Sequence, residues 1–272
     1  MRAMLIVLAL FISGLTATAV IATDPGRQRE ALRVCSDPNN LPFSNAQGAG
    51  FENKLAEVLA RHLGARLQYT WWAQRRGFVR NTLNAGVCDV VMGYPSGSDI
   101  VQTTAPYYRS TYVFLSRRAR KLRVRSFDDP VLRQLRIGVQ LVGDDGANAP
   151  PAHALSRRGL ADHLVGYTVY GDYRINSPPS AIVTAVARGD IDVAAVWGPL
   201  AGYFAYLQSV PLDLTPVEPR VEGSVPQTFS ISMAVRRPDG ARKRRLDEFL
   251  HEHRGDINRL LAAYHVPIVK EE

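Results

Sequence analysis

The sequence predicts an α/β protein built as two lobes around a hinge and a central cleft. Three observations carry that expectation. Short β-branched runs alternate with stretches of helical periodicity from Leu32 to Met92. A second such series runs from Arg136 to Val196. After an irregular, proline-rich return from Pro211 to Pro226, one more apolar strand from Phe229 to Val235 leads into two C-terminal helices. Strand–helix–strand order implies parallel sheets with crossover helices, and two series entered once and returned from once imply two lobes.

In chain order, Leu32 to Cys35 reads as a strand, and Asp37-Pro-Asn-Asn-Leu-Pro42 as a loop. Glu52 to His62 is a helix, because Phe51, Leu55, Val58, Leu59 and Leu63 recur at 3.6-residue spacing. Leu67 to Trp71 is the next strand, Phe78 to Asn84 lies in a helix, and Val87 to Met92 is the continuous apolar run of a buried parallel strand. In the second series Arg136 to Val139, Leu164 to Tyr170 and Ile191 to Val196 are strands. Pro151 to Arg158 and Pro179 to Arg188 are helices, the latter opening on prolines that suit a first turn. Ligands of open parallel sheets sit outside the carboxyl ends of the strands. The loops after Cys35, Met92, Val139 and Val196 are therefore expected to line the cleft.

The N-terminus reads as an export signal covering residues 1–22. Arg2 is the one charge before an apolar run from Met4 to Leu15, followed by Ala17-Thr18-Ala19, with cleavage readable after Ala19 or Ala22. The run is shorter than the roughly 20 apolar residues of a bilayer span. No later stretch reaches that length, so no membrane span is expected. The mature chain of about 250 residues can bury one large or two modest cores. The formal charge of +8 becomes +7 once Arg2 is removed. Export turns that charge away from nucleic acid and towards acidic proteins or anionic headgroups. Cys35 and Cys88 would meet an oxidising compartment, which invites a disulfide. Their positions late in one strand and early in another work against a bond unless the strands are irregular.

Motifs for catalysis are missing. Gly48-Ala-Gly50 starts like a dinucleotide loop, but Asn53 stands where the third glycine belongs. In Gly93-Tyr-Pro-Ser96-Gly97 the serine is displaced from a nucleophile elbow. His251 and His253 are two apart in a helical stretch and point to different faces, so they read as surface residues and no metal is expected. The chain is expected not to be an enzyme and to need no cofactor.

Several segments resemble the type II periplasmic solute-binding proteins of the amino-acid-receptor class. They are Leu32-Arg-Val-Cys-Ser-Asp37-Pro38 with Pro42-Phe43, Gly50-Phe51-Glu52, Gly86-Val-Cys-Asp-Val-Val-Met-Gly93, Pro106-Tyr-Tyr108 and Ala234-Val-Arg-Arg237. The resemblance implies lobe one at 27–117 with 228–272, and lobe two at 118–227. Longer strings are similar to the MxaJ/XoxJ-type proteins associated with quinoprotein alcohol dehydrogenases. These are Asp37 to Ser44, Tyr69 to Asn84, Gly143-Asp-Asp-Gly146 and Val196-Trp-Gly-Pro-Leu-Ala-Gly-Tyr203. That resemblance implies a periplasmic accessory to a pyrroloquinoline-quinone-dependent methanol or alcohol dehydrogenase. The alternative is the binding component of an ABC importer for a small solute other than an amino acid.

Three departures bear on the ligand. The family's carboxylate-clamping arginine falls at Gly97 or Ser98, its ammonium-holding aspartate at Trp197, and its small hydroxyl residues at Asp144 and Asp145. A bidentate arginine has few substitutes, and two aspartates repel a carboxylate, so no amino-acid ligand is expected. The expected cleft residues are Asn39, Asn40, Phe43, Trp72, Arg76, Tyr94, Asp144, Asp145, Tyr170 and Trp197. Such an aromatic, amide-rich lining suits a flat or apolar ligand, or a peptide segment of a partner.

Overall fold

The computed structural model describes residues 30–141, 149–170 and 173–270, so the expected export signal lies outside the described residues. β1 (Ala31–Ser36) pairs in parallel with β2 (Arg66–Trp71) and β3 (Val90–Pro95), with α1 (Phe51–His62) and the short α2 (Phe78–Asn81) between them. β4 (Tyr108–Arg117) then carries the chain into a second half. There β5 (Ile137–Leu141), α3 (Pro150–Arg157), β6 (Leu164–Thr168), α4 (Ala181–Arg188) and β7 (Val193–Trp197) repeat the parallel pattern. α5 (Gly198–Tyr206), β8 (Leu212–Pro216), β9 (Thr228–Val235), α6 (Gly240–Glu252) and α7 (Arg254–Ala263) complete the order. One ten-stranded sheet results, with the path β2-β1-β3-β9-β4-β7-β5-β6, with β8 added along β4 and the two-residue strand Gln102–Thr103 along β9.

β4 joins the two halves, and the reading of the sequence did not include it. Its residues Tyr108 to Thr111 pair with β9, and Tyr112 to Ser116 pair with β7. Both sides of the strand are covered, so its buried positions do not alternate with exposed ones and leave no two-residue signature. The expected irregular return likewise holds β8. α5 was missed because its Gly-Pro start and two glycines argue against a helix. Close packing explains those residues. A Cβ on Gly202 would stand 2.0 Å from the carbonyl oxygen of His265, and Tyr206 stacks on the His265 ring at 3.8 Å. The C-terminal tail is thereby pressed against a helix of the second half.

Each half has its own cores. Leu32, Val34, Phe51, Leu55, Leu59, Met92, Met233 and Phe249 pack α1, α6 and α7 onto one side of the first half. Phe51, Leu55 and Leu59 are at most 1 % exposed, and burying each side chain of that size contributes about 1.5–3 kcal/mol. Two further clusters cover the second half, one around Phe127, Leu132 and Leu155, the other around Ile182, Val186 and Leu200.

Cys35 and Cys88 are bonded, with their Cα atoms 5.6 Å apart. The register would place Cys35 opposite Val91, well past Cys88. A bend at Asp89 precedes β3, which begins at Val90 and not at Val87, so Cys88 lies before the strand and not within it. A second irregularity matters more for the site. Opposite β9, β3 spends two residues, Met92 and Gly93, against Met233 alone. That extra residue reverses the alternation of β3 from there on.

Candidate functional site

Where the two halves meet, the carboxyl ends of β1, β3, β5 and β7 surround a cavity of about 240 Å³. The loop after β1 supplies Asn40 and Phe43, and the first turn of α1 supplies Glu52. β4 contributes Tyr108 and Tyr112, β9 contributes Phe229 and Ile231, and Tyr170 and Trp197 close the second-half side. Tyr112, Trp197 and Phe229 form one aromatic wall, edge to face at 5.3–6.5 Å between ring centroids, the separation at which aromatic pairs are favourable. No Arg, Lys or His lines the cavity among the described residues.

The structure brings Asn40, Phe43, Tyr170 and Trp197 together as the sequence led us to expect. Asn39 sits beside them as a tie between the halves, its Nδ2 donating to Ile175 O at 2.8 Å and its Oδ1 accepting from Ser177 N at 3.0 Å. Three expected residues lie elsewhere. Trp72 is 45 % exposed just past the end of the edge strand β2. Arg76 and Tyr94 line an outer groove with Arg75, Arg80 and Ile100, which adjoins the cavity through Gln74, Pro95 and Tyr170. The bulge in β3 accounts for Tyr94, which packs with Val91 and the disulfide, three positions apart where strict alternation would oppose them. Asp144 and Asp145 lie outside the described residues.

The sequence reading missed Glu52, Gln74, Tyr108, Tyr112, Gln140 and Phe229. A signal existed for Glu52: it is a charge in the buried first turn of α1, beside Phe51, Asn53 and Leu55. The helix start is fixed from outside, since the amides of Phe51 and Glu52 donate to the carbonyls of Pro42 and Phe43 at 2.8 and 2.9 Å. Glu52 is thereby held under Phe43, against β3. Its Oε1 occupies the space that a side chain on Gly93 would need, only 2.0 Å from an added Cβ.

Glu52 is 5 % exposed. Its carboxyl has no hydrogen bond or ion pair among the described residues, and burial pushes its pKa up to about 8. Asp37 is buried nearby, and it too is raised by burial although the amides of Gln74 and Asn39 donate to it at 2.8 Å each. Burial above all, with the Asp37 and Glu52 charges adding to it, raises the Tyr170 hydroxyl to about 12. Two amides of the lining are each engaged at one end: Asn40 Nδ2 donates to Gln74 Oε1 at 3.1 Å, and Gln140 Oε1 accepts from Trp197 N at 2.7 Å. Away from the cleft, His62, Glu252 and His253 bring one ligand atom each within 4.8 Å of the others, at the ends of α1 and α6. His253 pairs there with His62 and not with His251. None of the helices among the described residues is long and apolar enough to cross a membrane.

No family model matches the chain. Relatives are nonetheless clear. The protein MoxJ of Methylorubrum extorquens AM1 is 31 % identical over 251 residues, covering 88 % of this chain and 81 % of its own length. The crystal structure of the periplasmic binding protein XoxJ from Methylobacterium extorquens AM1 superposes with a TM-score of 0.71 at 35 % identity, over 88 % of this chain and all of that one. That of MxaJ from Methylophaga aminisulfidivorans MPT gives 0.76 at 28 % identity, again over 88 % of this chain and all of the other. The two-half sheet, the cleft at its strand ends and these likenesses agree: the chain has the periplasmic binding protein fold and belongs to the MoxJ family.

Proposed function

We propose that this protein is a periplasmic accessory to a pyrroloquinoline-quinone-dependent methanol dehydrogenase, acting by binding and not by catalysis. Membership of the MoxJ family carries the reading. The proposal takes lobe one as 27–117 with 228–272, lobe two as 118–227, and residues 1–22 as the export signal that delivers the chain to the periplasm.

The cleft supports an accessory role over amino-acid import. An amino-acid receptor needs a guanidinium for the ligand carboxylate, and no arginine lines this cavity among the described residues. Where an aspartate would hold the ammonium, Trp197 stands with its backbone amide already engaged by Gln140. Among the expected ligand contacts we retain Asn40, Phe43, Tyr170 and Trp197, with Asn39 as the tie between lobes. Recognition of the dehydrogenase then falls to the outer surface, where a net charge near +7 steers the chain towards an acidic partner.

The test is direct binding to the cognate dehydrogenase, immobilised, with association rates measured at low and high salt. Binding should occur, and its association rate should fall as salt screens charges beyond about 8 Å. Absence of binding at low salt, with both proteins folded, would reject the accessory role in favour of an importer component. Salt-insensitive binding would keep the partner and replace the electrostatic mechanism with an apolar contact.

A further inference from the structure

We infer that the cleft is a receptor site for a small alkylated ammonium ion, with Glu52 as its counter-charge. This goes beyond the accessory role and does not depend on which protein the outer surface docks.

Three observations converge. The walls carry six aromatic side chains: Phe43, Tyr108, Tyr112, Tyr170, Trp197 and Phe229. Aromatic rings around a cation are attractive through the ring quadrupole, increasingly so as water is excluded. Glu52 lines the same cavity with no partner for its carboxyl among the described residues. A buried carboxyl without a partner is costly, and such groups concentrate where a protein uses them. Finally, the lining holds no cationic side chain among the described residues.

That combination rejects anions. An anion would find an acid and no cation. A bare ammonium has only N–H groups to offer, whereas an alkylated one presents its alkyl groups to the six ring faces and needs a single opposite charge. The volume of about 240 Å³ lies below the range of drug-sized pockets, which limits the ion to a few carbons around nitrogen.

Ionisation of Glu52 provides a signature. The titratable groups facing it are Tyr69 from β2, Tyr107 just before β4, Tyr108 at the start of β4, and Tyr170 from the second half, with Asp37 acting on Tyr170. None of them is a cation. On its own helix, Lys54 is paired with Glu57. In the empty cleft at neutral pH the Glu52 carboxyl holds its proton, since its pKa is about 8. A bound cation must displace that proton. Affinity should therefore rise about tenfold per pH unit from 6 to 7 and level off above 8.

The experiment is isothermal calorimetry on the mature protein with tetramethylammonium, choline and the neutral choline isostere 3,3-dimethyl-1-butanol. At pH 8.5 choline should bind at least tenfold more tightly than the alcohol, and only the two cations should show the pH rise and release a proton. Glu52→Gln should weaken cation binding at least tenfold and leave the alcohol unaffected, which also reports that the variant is folded. The isostere pair and the pH series need no variant. Equal or tighter binding of the alcohol, pH-independent cation binding, or no binding of either cation would each overturn the proposal.

Discussion

Asp89 and Glu52 are both acids removed from water, at 3 and 5 % exposure, near opposite ends of β3. Their surroundings differ in kind. Asp89 receives Arg33 through two side-chain hydrogen bonds of 2.7 and 2.9 Å, with Arg236 at 3.4 Å and Arg242 at 3.6 Å. Burial alone would raise its pKa, but the Arg33 hydrogen bonds and the charges of Arg242 and Arg33 outweigh it and hold the carboxyl below the usual range. Arg33 comes from β1, while Arg236 directly follows β9 and Arg242 lies in the first turn of α6, so one carboxylate ties two segments far apart in the chain. Glu52 has no such shell, and burial acts on it unopposed. A buried acid with its full set of partners holds the fold together, whereas one left bare in a cavity is available to a ligand.

The largest expected effect breaks the compensated acid. Asp89→Ala takes the carboxylate from Arg33 and Arg242, while Arg236 keeps Asp239 at 2.7 Å; because these arginines are partly exposed, the loss should be about 3 kcal/mol, the low end for breaking a buried ion pair. Urea unfolding should show that loss with cleft affinity unchanged in the folded fraction. A stable variant with altered cleft affinity would reverse the roles of the two acids. Beside it, replacing Cys35 and Cys88 by serine should cost about 2–4 kcal/mol by the same measurement.

Next comes the space that the bulge opens for Glu52. Gly93→Ala puts a Cβ against Oε1 and should cost about 1–3 kcal/mol as overpacking. In a Glu52→Ala background the same change should cost less than about 1 kcal/mol. Additive losses in the double variant would show that the two residues do not compete for that space.

The two acids also have opposite pH signs. Glu52 has a folded pKa above its ordinary 4.5. Its contribution is complete below the ordinary value and is lost as pH rises towards 8, by at most about 1.4 kcal/mol per unit. Asp89, held low, contributes above the ordinary carboxylate range and loses that contribution as pH falls through its folded pKa. Glu52→Gln should therefore flatten the decline in stability between pH 5 and 8 and leave the acid limb in place. A decline that survives the substitution would assign it to another group.

The contrast also marks what the sequence could tell. The strand order, α1 and the second parallel series were legible because apolar spacing survives wherever one side of an element is buried. β4 and α5 were not, since burial on all sides erases periodicity, and Gly198 and Gly202 serve close contacts with the distant Thr111 and His265. Asn40, Phe43, Tyr170 and Trp197 were legible as cleft residues from strand ends together with the family resemblance. Tyr94 was not, because a one-residue bulge near Gly93 turns it towards the disulfide. Glu52 could be seen only as part of a helix start. Its lack of a partner is a three-dimensional property.

The most direct measurement is a carbon-13 NMR titration of glutamate carboxyls in the mature protein, with Glu52→Gln to assign the resonance. In the empty protein the Glu52 signal should titrate near pH 8, and saturating tetramethylammonium should move its midpoint below 6. A midpoint near 4.5 without ligand, or one that the ammonium ion leaves in place, would contradict a cleft built around a bare acid.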